Sequence, residues 1–245
     1  MSWTPTEHPP IERMTVPEFR RQIFSGRIVT GDGVLYHYGA PAFSRRLIGR
    51  VQRRILPNLC EAKGVGSEGG RVAAENAGWT HAGMVLSPWF TVEQTTPRCR
   101  TALWVDVIRP GDRLLVVRPA LVGAQSCEDR RELLEAASRA ALQDVEQRVP
   151  YPHRELLIYW LWSWGIRRTL WGHSFLDIFS AETGNVCSSS VIGWWRSAGL
   201  LANLTGCDAR PEAWYPGRMG CDPALRAVAH IEIIADEPEQ PTQGD

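Results

Sequence analysis

The sequence predicts an α+β domain with an antiparallel sheet. Three observations carry that expectation. Short apolar runs separated by turn residues follow one another between residues 81 and 119, which is strand patterning. Stretches before and after them carry apolar residues at helical spacing. At 44% hydrophobic and 22% charged over 245 residues, the chain can bury one substantial core without dividing into several.

The elements follow in chain order. Residues 1–15 form an N-terminal arm whose first dozen residues are polar and proline-bearing, the composition of a tail. The domain spans 16–235, and 236–245, DEPEQPTQGD, is an acidic, disordered tail. Val16 to Arg27 is a first helix, and in VTGDGVLYHYG the Gly31-Asp32-Gly33 turn leads into a strand. Ser44 to Leu56 places Leu47, Ile48, Val51 and Ile55 on one helical face, with arginines opposite. CEAKGVGSEGGRVAAENAG has no periodicity and reads as a long Gly-rich surface insertion near 58–78. HAGMVL, WFTVEQT, ALWVDVI and, after RPGD, RLLVVRP read as a four-stranded meander. Ser126 to Val149 is a helix with acids in its first turns, and Pro150 stops it. LLIYWLWSWGI is too short to span a bilayer and suits a buried or an interfacial helix.

Charge and cysteine usage narrow the function. Lys+Arg and Asp+Glu number 27 each and no basic block interrupts that balance, which speaks against nucleic acid as a partner. The start has neither a basic segment leading into an apolar run nor a small-residue cleavage site, so the expected location is cytoplasmic, with lysis or another export route as the way out. Cys60, Cys99, Cys127, Cys187, Cys207 and Cys221 are scattered and form no C-x-x-C pair. That pattern favours free thiols, and although cysteines and histidines could assemble a zinc site across the fold, no local spacing supports one; no metal or cofactor is expected.

One cysteine stands apart. From Cys187, apolar residues recur at Val191, Trp194, Trp195 and Ala198, so the sulfur heads the buried stripe of a helix. A thiol there is favoured as thiolate by unpaired amides and the helix dipole. An inert buried cysteine would occupy the same position. A nucleophile needs a base, and His81 at the entry to an apolar strand, followed by two small residues, is the candidate. His8, His37, His153, His173 and His230 lie in a tail, a tyrosine-rich strand, flanks or a late apolar run. On the next strand Glu93 or Gln94 can orient the imidazole; side chains alternate, so only one of them serves. Tyr36 and Tyr151 could approach the site or simply pack.

The succession THAGMVL, TVEQT, RLLVVRP, a long helix, Pro150-Tyr151, NVCSSSVIGWWRSAGL and PEAWYP resembles the circularly permuted branch of the NlpC-type papain-like cysteine hydrolases. It is most similar to the YiiX and YaeF group and more distantly to lecithin retinol acyltransferase, over residues 31–219. Three serines follow Cys187, where related sequences often carry an acid. The resemblance implies a papain-like sheet packed on the cysteine helix, with Cys187 as nucleophile, His81 as general base and Glu93 as orienting residue. It also implies a thiol peptidase or amidase acting through an acyl-enzyme on an amide or peptide substrate, murein-derived in particular. Two rivals remain: a lipid-directed thiol acyltransferase or esterase that touches a membrane surface through the Trp-rich segment, and an inactive binding domain on the same fold.

Overall fold

The computed structural model describes residues 3–40, 43–120, 127–151, 187–205, 211 and 214–236. The chain runs β1 (Ile11–Met14), α1 (Val16–Phe24), β2 (Gly33–His37), α2 (Phe43–Ala62), α3 (Gly69–Asn76), β3 (His81–Val85), β4 (Phe90–Gln94) and β5 (Cys99–Leu103). It continues with α4 (Trp104–Val107), β6 (Arg113–Pro119), α5 (Cys127–Glu146), α6 (Cys187–Ser197), α7 (Pro216–Met219) and β7 (Leu225–Ile233). Among the described residues seven strands form one sheet in the order β1-β7-β6-β2-β3-β4-β5. Only β1 and β7 pair in parallel. The chain is therefore α+β with a mostly antiparallel sheet.

Both faces of the sheet are covered, which explains why its central strands are buried throughout. Leu35, Ala82, Met84, Val92, Leu115 and Val117 join Leu134, Ala137 and Ala141 of α5 and the apolar residues of α6 in one core. On the opposite face Val34, Tyr36, Val85, Leu114 and Val116 pack with Phe19 and Ile23 of α1 and with Trp104. Helix α1 starts with a capping box, in which Thr15 accepts from the Glu18 amide and the Glu18 carboxylate accepts from the Thr15 amide.

The direction of α6 is set by Trp195, whose indole N–H donates to Gly31 O at 2.8 Å. Its ring lies against Gly33, where a Cβ would come within 2.8 Å of Trp195 Cη2. The C-terminal half of α6 thus sits at the start of β2. Eight helical residues rise about 12 Å, close to the length of β2, so Cys187 reaches the other end of the sheet.

The structure corrects several sequence expectations. The N-terminal arm is not a tail: Thr6 Oγ1 donates to Asp222 O and Leu225 O, and β1 adds a strand alongside β7. Its backbone groups find partners that composition does not reveal. The Gly-rich insertion is largely helical, with Val72, Ala73 and Asn76 of α3 buried on one face against Leu56 and Cys60. Those two residues also carry α2 past Pro57; the carbonyl left without a partner belongs to exposed Arg53, so buried packing prevails. ALWVDVI is not a strand beyond Leu103, because Trp104 turns inward, donates to Ser87 O at 3.0 Å and stacks edge-on with Phe19. The meander holds for β3, β4 and β5 alone. RLLVVRP crosses the sheet and inserts between β2 and β7, where both its faces are buried.

A buried ion pair fixes that crossing. Asp32, fully buried at the turn before β2, accepts from Arg118 Nε and Nη2 at 2.6 and 2.7 Å and from the Val29 amide. Arg118→Met strands the carboxylate without its partner, and a loss of about 3–5 kcal/mol is expected from the urea unfolding midpoint. No helix among the described residues is long and apolar enough to cross a membrane. The LLIYWLWSWGI segment, Cys207, His153, His173 and the acidic tail beyond Asp236 lie outside the described residues.

Candidate active site

Antiparallel pairing brings the C-terminal ends of β2 and β4 and the N-terminal end of β3 to one end of the sheet. Tyr36 pairs with His81 and Gly83 with Glu93, so alternation puts Tyr36, His81 and Glu93 on one face. His81 is the first residue of its strand. It therefore meets the N-terminus of α6 at the rim, although α6 covers the other face. His81 Nε2 lies 3.5 Å from Glu93 Oε1, an ion-pair contact longer than an ordinary hydrogen bond. Cys187, 4% exposed, interacts with the His81 imidazole through both charge and a hydrogen bond. Three residues distant in sequence are thus brought together.

Alternation also decides between the neighbours on β4. Gln94 points the other way, its amide donating to Pro150 O at 3.0 Å and Val149 O at 3.4 Å. Glu93 alone faces the imidazole. Its second oxygen lies 3.9 Å from Arg100 Nη2, and Arg100 is its cross-strand partner on β5.

The electrostatics favour a charged pair. Burial alone would drive the His81 pKa down; the negative charge of Cys187 and of Glu93, with their hydrogen bonds, outweighs it and pushes the value up to about 9. Burial opposes ionisation of Glu93, yet His81, then Arg100 and the Tyr36 hydroxyl, hold its pKa below the ordinary carboxylate value. In Glu93→Gln one raising charge is gone, so the His81 imidazole is expected to titrate about one unit or more lower, read from its Cε1–H signal by NMR.

Tyr36 belongs to the same cluster. Its ring centroid is 5.3 Å from that of His81, and its hydroxyl lies 3.3 Å from Thr91 Oγ1. Thr91 spends its own proton on Met84 O at 3.0 Å, so Thr91 Oγ1 and the Glu93 carboxylate are the two acceptors that share the single Tyr36 hydroxyl proton. Gly83 makes room: a Cβ there would lie 3.1 Å from Tyr36 Oη and 3.0 Å from Thr91 Oγ1. Tyr151 instead closes the turn after α5, its amide donating to Pro97 O.

Sequence reasoning missed Tyr38 and Arg100. Tyr38 stacks on Tyr36 at 5.7 Å, with Arg45 Cζ 3.5 Å above its ring, and it senses the charge of Cys187 and Glu93. Its hydroxyl is buried without a hydrogen-bond partner, which is costly unless something else occupies it. The alternation in YHY placed Tyr38 with Tyr36 and was the available signal. Arg100 had none, because its pairing with Glu93 depends on the length of the β4–β5 turn.

Burial pushes Cys60 and Cys221 up and Cys99 up to about 12. Cys60, Cys99, Cys187 and Cys221 are all unpaired. Compared with family models, curated proteins and solved structures, the chain matches none.

Proposed function

We propose that this protein is a cysteine hydrolase of papain-like design, arranged as in the permuted NlpC branch, that cleaves an amide through Cys187, His81 and Glu93. The observation that carries the reading is the buried imidazole held between a helix-terminal thiol and a carboxylate. With Nε2 turned to Glu93, Nδ1 is the nitrogen left for Cys187.

His81 takes the thiol proton, and the thiolate adds to the carbonyl carbon as the π pair moves onto oxygen. The Tyr38 hydroxyl, buried without a hydrogen-bond partner and near enough to sense the charge of Cys187, and amides of the first turn of α6 are the donors for that oxyanion. Collapse breaks the C–N bond, and His81 returns the proton to the leaving amine. Water, deprotonated by His81, then attacks the thioester and frees the acid and the thiol. Glu93 and Tyr36 position the imidazole. A peptide of the bacterial cell wall is the substrate class to which the sequence resemblance points.

The test is native-state alkylation by iodoacetamide, followed at each cysteine by peptide mass spectrometry. Cys187 is expected to react at least about tenfold faster than Cys60, Cys99 and Cys221, and to lose that advantage in His81→Ala. Protection of Cys187, or reaction no faster than at the other thiols, would leave a binding domain on the same frame as the better account.

A further inference from the structure

A second cluster of polar groups lies on the α6 side of the sheet, toward the edge formed by β1. There the N-terminal arm, α3 and the ends of β2 and β6 enclose a cleft of about 860 Å³, the size of a small-molecule site. Trp79 stands at its centre, with ring centroids of His8, His37 and His230 at 6.2, 6.1 and 5.6 Å.

The hydrogen bonding of this cluster is incomplete at three points: Trp79 Nε1, His37 Nδ1 and His230 Nε2 are buried without a partner. His8 Nε2 bonds Gly220 O at 2.6 Å, and His37 Nε2 receives Arg113 Nη2 at 3.2 Å. His230 is only 8% exposed, and its Nε2 has no partner. Its other ring nitrogen bonds the Pro9 carbonyl, which only an N–H can do, so the neutral ring offers Nε2 as a lone pair. Burial first, then His8 and Arg113, push the His230 pKa down to about 4, which keeps that lone pair unprotonated at neutral pH.

Arg53, Arg71 and Arg113 line the cleft together with Glu7, Glu68 and Glu75, so the question is which of these charges are already matched. Arg113 makes its hydrogen bond to His37, and its cross-strand neighbour Glu232 is engaged by Arg13. Arg53 of α2 lines the cleft and, with Arg113, opposes a charge on His37. On the α3 side Arg71 bridges Glu68 and Glu75 at 3.5 and 2.7 Å, so those carboxylates are already matched. Glu7 of the arm completes the charged rim. The cleft thus combines two arginines that contact no carboxylate among the described residues with a buried acceptor that needs a donor.

We propose that this cleft binds a phosphate group, its oxygens on Arg113 and Arg53 and its hydroxyl proton donated to His230 Nε2. A phosphate group near neutral pH supplies both parts, whereas sulfate has negative oxygens and no proton to give. Free phosphate and a phosphate monoester share this chemistry. The site is separate from Cys187 and does not depend on the hydrolase reading.

The test is an NMR titration of the histidine Cε1–H signals of the intact chain at pH 6.5 and constant ionic strength. The probes are inorganic phosphate, phenyl phosphate and sulfate. Saturable shifts of the His230 and His37 signals are expected with phosphate or phenyl phosphate, and the tighter of the two identifies the free anion or the monoester as the natural form. Sulfate is expected to bind at least about tenfold more weakly, as is phosphate to Arg113→Gln. Arg53→Gln, on the exposed surface of α2, gives the same readout should Arg113→Gln fail to fold. Cys187→Ala is expected to bind as wild type does, so loss of hydrolysis leaves this result intact. Shifts that never saturate, sulfate binding as tight as phosphate, or wild-type affinity in Arg53→Gln would each overturn the proposal.

Discussion

Replacing His81 with alanine is expected to lower kcat/KM by about 10²- to 10⁴-fold on any amide that the wild type hydrolyses. The imidazole has two tasks in the proposed cycle, taking the thiol proton and returning it to the amine, and no other described histidine is built into the cluster of Cys187, Glu93 and Tyr36. The pH profile separates this role from a merely structural one. His81 has its pKa pushed up to about 9 by Cys187 and Glu93 against the pull of burial. The charged form is therefore the one the fold favours. The stabilisation it brings is fully present below the unfolded value of about 6.5 and is lost as pH rises through about 9. Wild-type activity is expected to decline on the alkaline side near pH 9, where the acid needed by the leaving amine is gone. In Glu93→Gln that limb moves toward neutrality, because a raising charge has been removed. A limb that stays in place in Glu93→Gln would show that Glu93 does not tune the imidazole.

Tyr38→Phe is expected to affect activity and stability in opposite directions. As an oxyanion donor, the hydroxyl acts on a charge that exists only in the transition state, so its loss is expected to reduce kcat by about 10²- to 10³-fold with little change in KM. In the resting protein the same hydroxyl is buried with no hydrogen-bond partner. A phenylalanine removes that unsatisfied group while keeping the ring between Tyr36 and Arg45, and the fold is expected to gain on the order of 1 kcal/mol. Thermal unfolding and steady-state kinetics of one variant read both effects. A variant of unchanged kcat would return Tyr38 to packing alone.

Residues legible in the sequence were those whose position follows from local periodicity. Strand alternation put His81 and Glu93 on facing strands, and helical spacing put Cys187 at the head of a buried stripe. The same reasoning failed where local pattern competes with distant packing. Gly69–Asn76 looks irregular, yet folds as a helix because Val72 and Ala73 find Leu56 and Cys60. Trp104 sits in an apolar run but leaves the strand to reach Phe19. The first dozen residues are poor in apolar groups, yet from Thr6 onward the arm is held by backbone partners in residues 220–225 and by β7.

What the sequence by itself determined was the α+β class, the helices starting at Val16, near Ser126 and at Cys187, the strands carrying His81 and Glu93, and the absence of any charge excess to draw nucleic acid. Only the tertiary structure decided which of Glu93 and Gln94 faces the imidazole, where β6 inserts, and which tyrosines line the site. It also assembled His8, His37, His230 and Trp79 around one cleft. The physical reason is range: periodicity reports which face of an element is buried, whereas register, crossover and the pairing of buried polar groups depend on residues far away in the chain.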